Sequence, residues 1–257
     1  MTFPNYPNKY REKSFVNAKD FWKYKKELGR YPDINPPKGV IMCYSPTIFN
    51  YIIENYSLKK IDNVFGDYFY LLNENDNQIG ICGNFGIGAP IVAILMEELN
   101  AFGIKSFLSI GTAGSLQKDL QLGSNIICTK AIRDEGTSHH YLPSEKYSYP
   151  SQMLTEKMIK VAKDLNISYH TGTSWTIDAP YRETLAEIKK YQEEGVLTVE
   201  METAAIFAVA KYLNVEVGAI FTISDYLTED NWELHFHLTD THLHTLFTIA
   251  KKTLSSL

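Results

Sequence analysis

Long apolar runs are missing from this 257-residue chain. None approaches the roughly 20 residues a membrane-spanning helix needs, and the opening stretch MTFPNYPNKYREKSF has no apolar signal core. A cytoplasmic location with no membrane partner is the expectation. Cysteine is scarce as well. Cys43, Cys82 and Cys128 lie far apart in apolar stretches without CxxC or metal-ligand spacing, which excludes a disulfide scaffold and points to reduced core residues. HExxH, GxSxG, GxGxxG and GxxxxGKS/T are all absent, so metalloprotease, α/β-hydrolase, dinucleotide and nucleoside triphosphate sites lose their support. An excess of positive charge is lacking too. Lys and Arg number 25 against 30 Asp and Glu, for a net charge of −5, which argues against a nucleic-acid partner whose binding would rest on phosphate neutralisation.

With 44 % hydrophobic and 21 % charged residues, the chain has the composition of an ordinary globular protein and enough length for a large core. Its charge is uneven. Residues 9 to 30 hold eight Lys and Arg against Glu12, Asp20 and Glu27, reading as a solvated helix face or a patch that docks on an acidic neighbouring subunit. Residues 1–37 read as an N-terminal extension, closed by the helix-incompatible stretch Tyr31-Pro32-Asp33-Ile34-Asn35-Pro36-Pro37, and residues 38–257 as one folded domain.

Beyond Gly39, strand-like and helical patterns alternate. Strands are predicted at Val40–Cys43, Tyr68–Leu72, Gln78–Gly83, Phe107–Ile110, Asn125–Arg133, Tyr169–Thr173, Val196–Val199 and Val217–Ser224. Tyr68–Leu72 and Gln78–Gly83 read as a hairpin. Helices are predicted at Ile48–Glu54, Ala89–Phe102, Met153–Leu165, Pro180–Glu193, Glu202–Leu213 and Thr241–Leu254. The alternation implies an α/β domain with a mostly parallel or mixed sheet between helices and a ligand site at the carboxyl ends of the strands.

Polar groups collect in four loops expected at those ends, Asn84-Phe85-Gly86-Ile87-Gly88, Gly111-Thr112-Ala113-Gly114, Asp134 to His140 and Ser224-Asp225, and in the acid pair of Val199-Glu200-Met201-Glu202, where a strand turns into a helix. Glycines at such places let backbone N–H groups approach a hydroxyl-rich or anionic ligand. Glu202 stands at the first turn of an alanine-rich helix, where it either balances the helix dipole or faces a ligand. His139-His140 and His235-x-His237 have no third ligand nearby, so a metal site is not expected.

Gly86-Ile87-Gly88-Ala89-Pro90, the run from Phe107 to Gly114, Arg133 to Ser138, Val199-Glu-Met-Glu202 and Ile223-Ser-Asp225 together resemble the purine nucleoside and uridine phosphorylase superfamily, which includes methylthioadenosine nucleosidases. The resemblance runs from about Gly39 to the C-terminus. It implies a three-layer α/β/α domain around a mixed, partly barrel-like sheet, a dimer or hexamer, and cleavage of a nucleoside N-glycosidic bond without cofactor, phosphate being a possible co-substrate. By similarity, Glu202 holds the ribose hydroxyls, Met201 packs on the sugar, and Asp225 supplies or shares a proton with the base, which favours a purine-like base, whereas Arg133 to Tyr141 is more similar to the uridine enzymes, so purine and uridine both stay open. Glu200, Gly88, Thr112, Gly111, Arg133, His140 and a base-stacking Trp175 or Tyr181 complete the expected binding set. The chemistry suits these groups, because bond cleavage builds positive charge on the sugar and negative charge on the base.

Phosphorolytic relatives carry an arginine after the first strand and another just before Ile-Gly-Thr; this chain has Ile48 and Ser109 there. A third, lent by a neighbouring subunit, would fall near Phe65. The chain contains four arginines in all, Arg11, Arg30, Arg133 and Arg182. These departures tilt the expectation toward water as the attacking group, with His140, His235 or His237 as its base. Phosphorolysis and an inactive nucleoside-binding protein are the alternatives.

Overall fold

In the computed structural model, which describes residues 6–64, 68–74, 77–228 and 231–257, the apolar runs form one mixed sheet. Strand β1 (Gly39–Cys43), buried along its whole length, lies parallel between β4 (Asn77–Gly83) and β5 (Ser106–Ser115). Outward from β4, the antiparallel strands β3 (Phe69–Glu74) and β2 (Leu58–Ile61) finish the open side. Residues 75 and 76, at the tip of the expected hairpin, lie outside the described residues, as does Phe65.

The other side closes on itself. β5 pairs with β10 (Glu216–Leu227), β10 with β6 (Asn125–Asp134), β6 with β8 (His170–Ile177), β8 with β9 (Thr198–Glu200), and β9 returns to β5. These five strands make a closed ring, the barrel-like part of the sheet. β7 (Tyr147–Ser148) adds to β6, and β11 (Trp232–Leu234) to β10.

Helices cover both faces. α3 (Ala89–Phe102) and the small-residue helix α6 (Thr203–Leu213) share one core cluster, with α1 (Ala18–Glu27) outside α3. α2 (Pro46–Asn55), α4 (Gln152–Asp164) and α7 (Asp240–Ser255) bury their apolar residues on the opposite face. The result is a three-layer α/β/α arrangement. α1 belongs to the stretch before Gly39, and its Trp22 is buried, donates Nε1–H to the Glu98 carbonyl at 2.7 Å and packs on Phe102. All three cysteines are buried and free. Among the described residues, no helix is long and apolar enough to cross a membrane.

Two expectations need correction. Gly111 to Gly114 and Ser224-Asp225 are not loops: β5 runs on to Ser115 and β10 to Leu227. Both strands run on past their apolar stretches to complete the ring, and the bends come from bulges, between Ile223 and Asp225 in β10 and between Cys128 and Lys130 in β6. The expected helix Pro180–Glu193 is a 3-10 turn, Pro180–Arg182, followed by α5 (Leu185–Glu193). Thr184 and Glu187 form a reciprocal capping box there, which starts the helix at Leu185.

Candidate active site

Where β5, β9 and β10 leave the ring, a cavity of about 640 Å³ opens, within the usual size of small-molecule sites. Tyr44, Thr112, Glu200, Met201, Glu202 and Asp225 line it, with Tyr181, Glu183, Trp232 and Phe236 toward its rim.

The two glutamates of Val-Glu-Met-Glu do different work. Glu200 Oε1 accepts hydrogen bonds from the Ser174 and Thr176 hydroxyls, at 3.1 and 2.5 Å. Its Oε2 accepts from the backbone N–H of Glu202 and of Thr203 and from the Thr203 hydroxyl, at 2.9, 2.7 and 2.7 Å. Five donors saturate this carboxylate, and it caps the first turn of α6. Glu200 therefore has a supporting part besides its place in the wall: it fixes where Glu202 stands.

Glu202 is buried in the cavity wall, and the Gly88 N–H donates to its Oε1 at 2.5 Å. Gly88 has φ +106°, a conformation that a side chain would strain, so glycine is what lets this amide point at the carboxyl. Burial, then the neighbouring charge of Glu200, pushes the Glu202 carboxyl up to about 8. A group held this way ionises readily once a positive charge or hydroxyl donors arrive beside it.

Asp225 faces the cavity because the bulge leaves Ser224 unpaired and re-aims the strand. Its Oδ1 accepts from the Ser224 hydroxyl at 2.6 Å and its Oδ2 from the Trp232 indole N–H at 2.7 Å. Gly114 lies directly beneath: a Cβ there would stand 2.9 Å from Asp225 Oδ2 and 2.6 Å from Leu227. Glu202 and Asp225 thus open onto one cavity.

The matching family model, the phosphorylase superfamily, covers residues 40–249, the ring and its flanking helices included. The chain belongs to that superfamily. Curated relatives include a guanosine phosphorylase of Halorubrum lacusprofundi, 34 % identical over 151 residues, or 59 % of this chain and 62 % of that one. A DeoD-type purine nucleoside phosphorylase of Alkaliphilus metalliredigens is 29 % identical over 73 % of this chain and 82 % of its own. A uridine phosphorylase of Haemophilus influenzae is 29 % identical over 57 % and 63 %. The match thus spans about three fifths of the guanosine and uridine enzymes.

Set within the phosphorylase superfamily, the expected residues divide. Glu202, Met201, Asp225, Thr112 and Tyr181 meet at the cavity, Gly88 reaches it through Glu202, and Gly111 lies under the Tyr44 ring. Trp175 does not. It is fully buried, donates Nε1–H to Asp134 and packs on Tyr191, so it is a core residue and not a base-stacking one. Arg133 is buried too, its guanidinium donating to the Ser138 hydroxyl and the Pro143 and Leu142 carbonyls, where it ties down the loop after β6. His140 lies at hydrogen-bond distance from Lys9 and, like His235 and His237, is not part of the cavity wall.

Three wall residues went unread in the sequence. Tyr44 fills the corner beside Ser109, with a hydroxyl–hydroxyl distance of 3.1 Å. Trp232 anchors Asp225, and Glu183 adds a further carboxyl. The capping box at Thr184 is the signal that could have placed Glu183 in a strand-to-helix loop instead of inside a helix.

Proposed function

We propose that this chain cleaves the N-glycosidic bond of a purine-type nucleoside, with phosphate as the acceptor. One observation carries the reading: Glu202 and Asp225 project into a single cavity, one carboxyl for the sugar and one for the base. Negative charge beneath the ribose favours the cationic sugar of the transition state more than the neutral substrate, and this difference is what accelerates bond cleavage. Met201 packs on the sugar, and Tyr181 offers an aromatic face for the base. The names of the relatives support phosphate over the water expected from the missing arginines, and guanosine and purine nucleoside phosphorylases among them support a purine. No organic cofactor is required by this chemistry.

Water remains the second reading because of two residues that lie outside the cavity wall. Ile48 and Ser109 stand where phosphorolytic relatives carry arginines; Ile48 is fully buried, and Ser109 pairs with the Tyr44 phenol. Purified protein incubated with a panel of purine and pyrimidine nucleosides, with and without phosphate, decides the matter by mass. Ribose 1-phosphate formed only with phosphate is the expected product. Free ribose in its absence makes the protein a nucleosidase, and saturable binding without product overturns both readings.

A further inference from the structure

The cavity has a direction, and β5 measures it. Asp225 stands over Gly114, and the Tyr44 ring lies over Gly111, where a Cβ would come within 3.2 Å of Tyr44 Cδ2. Three residues of strand, about 10 Å, separate the two contacts. In the reading above the base takes the Asp225 end. An acceptor attacks C1′ from the side opposite the departing base and waits roughly 3–3.5 Å from that carbon, so it belongs at the Tyr44 end.

Tyr44 is built into that end. It follows β1 directly, its ring meets Phe85 edge-on with centroids 5.3 Å apart, and its hydroxyl lies 3.1 Å from Ser109 Oγ. Ser109 is buried behind it, outside the cavity wall. Burial first, then the charge of Glu202, holds the phenol well above its ordinary value, so it stays protonated and can donate. Among the described wall residues no Lys, Arg or His stands beside it, which leaves the hydroxyls of Tyr44 and Thr112 as the side-chain donors at this end.

We propose that the Tyr44 phenol binds the acceptor phosphate by donating its O–H to a phosphate oxygen, with the Ser109 hydroxyl donating to the phenol oxygen from behind. This rests on the N-glycosidic reading with phosphate as acceptor. A phenol whose oxygen already accepts a hydrogen bond is the better donor, since successive hydrogen bonds polarise one another. Ser109 is thus a positioning residue, acting through Tyr44. The pair gives the anion a direction and no charge, and a hydrogen bond to an ionised oxygen is of the stronger kind.

Tyr44→Phe keeps the ring over Gly111 and removes the donor. With a purine nucleoside held saturating, KM for inorganic phosphate should rise at least tenfold, the effect of one lost hydrogen bond to a charged group, while KM for the nucleoside at saturating phosphate moves less than about threefold. Ser109→Ala should raise the phosphate KM by a smaller factor, and the double variant should match Tyr44→Phe, because Ser109 acts through the phenol. An unchanged phosphate KM in Tyr44→Phe overturns the inference. Equal rises in both KM values overturn it too, since they mark a residue that shapes the whole cavity. Factors that multiply in the double variant overturn the part assigned to Ser109. All three outcomes are read in variants of a parent whose turnover depends on phosphate. A parent that releases free ribose without phosphate, or no product at all, overturns the acceptor reading itself, and this inference with it.

Discussion

Glu202 joins stability to activity through one proton. Burial and the charge of Glu200 hold its carboxyl near 8 in the folded chain, against an ordinary 4.5. The folded state therefore binds this proton more tightly than the unfolded one. The group's contribution to stability is complete below about pH 4.5, declines as pH rises toward 8, and is gone above it. Glu202→Gln keeps an acceptor for the Gly88 N–H but needs no proton. Thermal unfolding followed by circular dichroism should find the variant level with the parent near pH 4.5 and more stable at pH 9, by on the order of 3–5 kcal/mol. Turnover should fall at least 10²-fold, since an amide cannot balance a cationic sugar. A variant less stable than the parent at pH 9 would mean that the carboxyl is ionised at no cost in the fold. Glu202 and Asp225 were legible as candidates through the motifs Val199-Glu-Met-Glu202 and Ile223-Ser-Asp225, since by position alone a helix-start Glu and a post-strand Asp have structural reasons to be there. Trp175 and Arg133 were misread for the converse reason: residue type says what a side chain can do, but not whether it points to the cavity or to the core.

Most elements were legible in kind and order, though the short strands β2, β7 and β11 were not, and lengths were less so. Apolar periodicity marks where a strand is buried, but β5 continues through Gly111, Thr112 and Gly114, where small residues resemble a loop. A side chain at Gly111 would meet the Tyr44 ring, and one at Gly114 would meet Leu227 and Asp225 of β10, Asp225 lying opposite Gly114 across the bulge. Gly114→Ala tests this juxtaposition. The added Cβ would stand within 3 Å of both Asp225 Oδ2 and Leu227 Cδ1, and β5, flanked by β1, β9 and β10, has little room to retreat. Overpacking of this kind costs about 1–3 kcal/mol, and here the strain falls on the residue proposed to face the base. We expect a melting temperature lower by a few degrees and kcat/KM reduced tenfold or more. Full activity would show that β10 yields without disturbing the carboxylate. Helix α5 carries the complementary lesson: its start was written in Thr184 and Glu187, but Pro180, suited to a first helical turn, offered an earlier start and hid Glu183.

Charge sets the problem at the scale of the molecule. The cavity wall carries Glu183, Glu200, Glu202 and Asp225, and among its described residues no Lys, Arg or His. Such a wall suits a cationic sugar and repels a phosphate dianion. Each charge-assisted hydrogen bond contributes roughly 1.5–3 kcal/mol, so two or three missing arginines remove about 3–9 kcal/mol of phosphate binding. Arg133 offers no replacement, its guanidinium being tied to the loop after β6. Phosphate as acceptor thus requires positive charge from beyond the cavity wall, from Lys130 or Arg182 of the same chain or from a second copy, and the eight Lys and Arg of residues 9 to 30 form the densest supply in the sequence. Phosphate-dependent turnover should then follow assembly. On dilution through the dissociation range, set by sedimentation, KM for phosphate should rise at least tenfold as oligomer gives way to monomer, while added salt should weaken phosphate use more than nucleoside binding. A protein that sediments as a monomer and still saturates with phosphate at the same concentration would place the missing charge within one chain. Turnover without phosphate, unaffected by dilution, would instead make the acidic wall sufficient in itself, since water needs no cation to hold it.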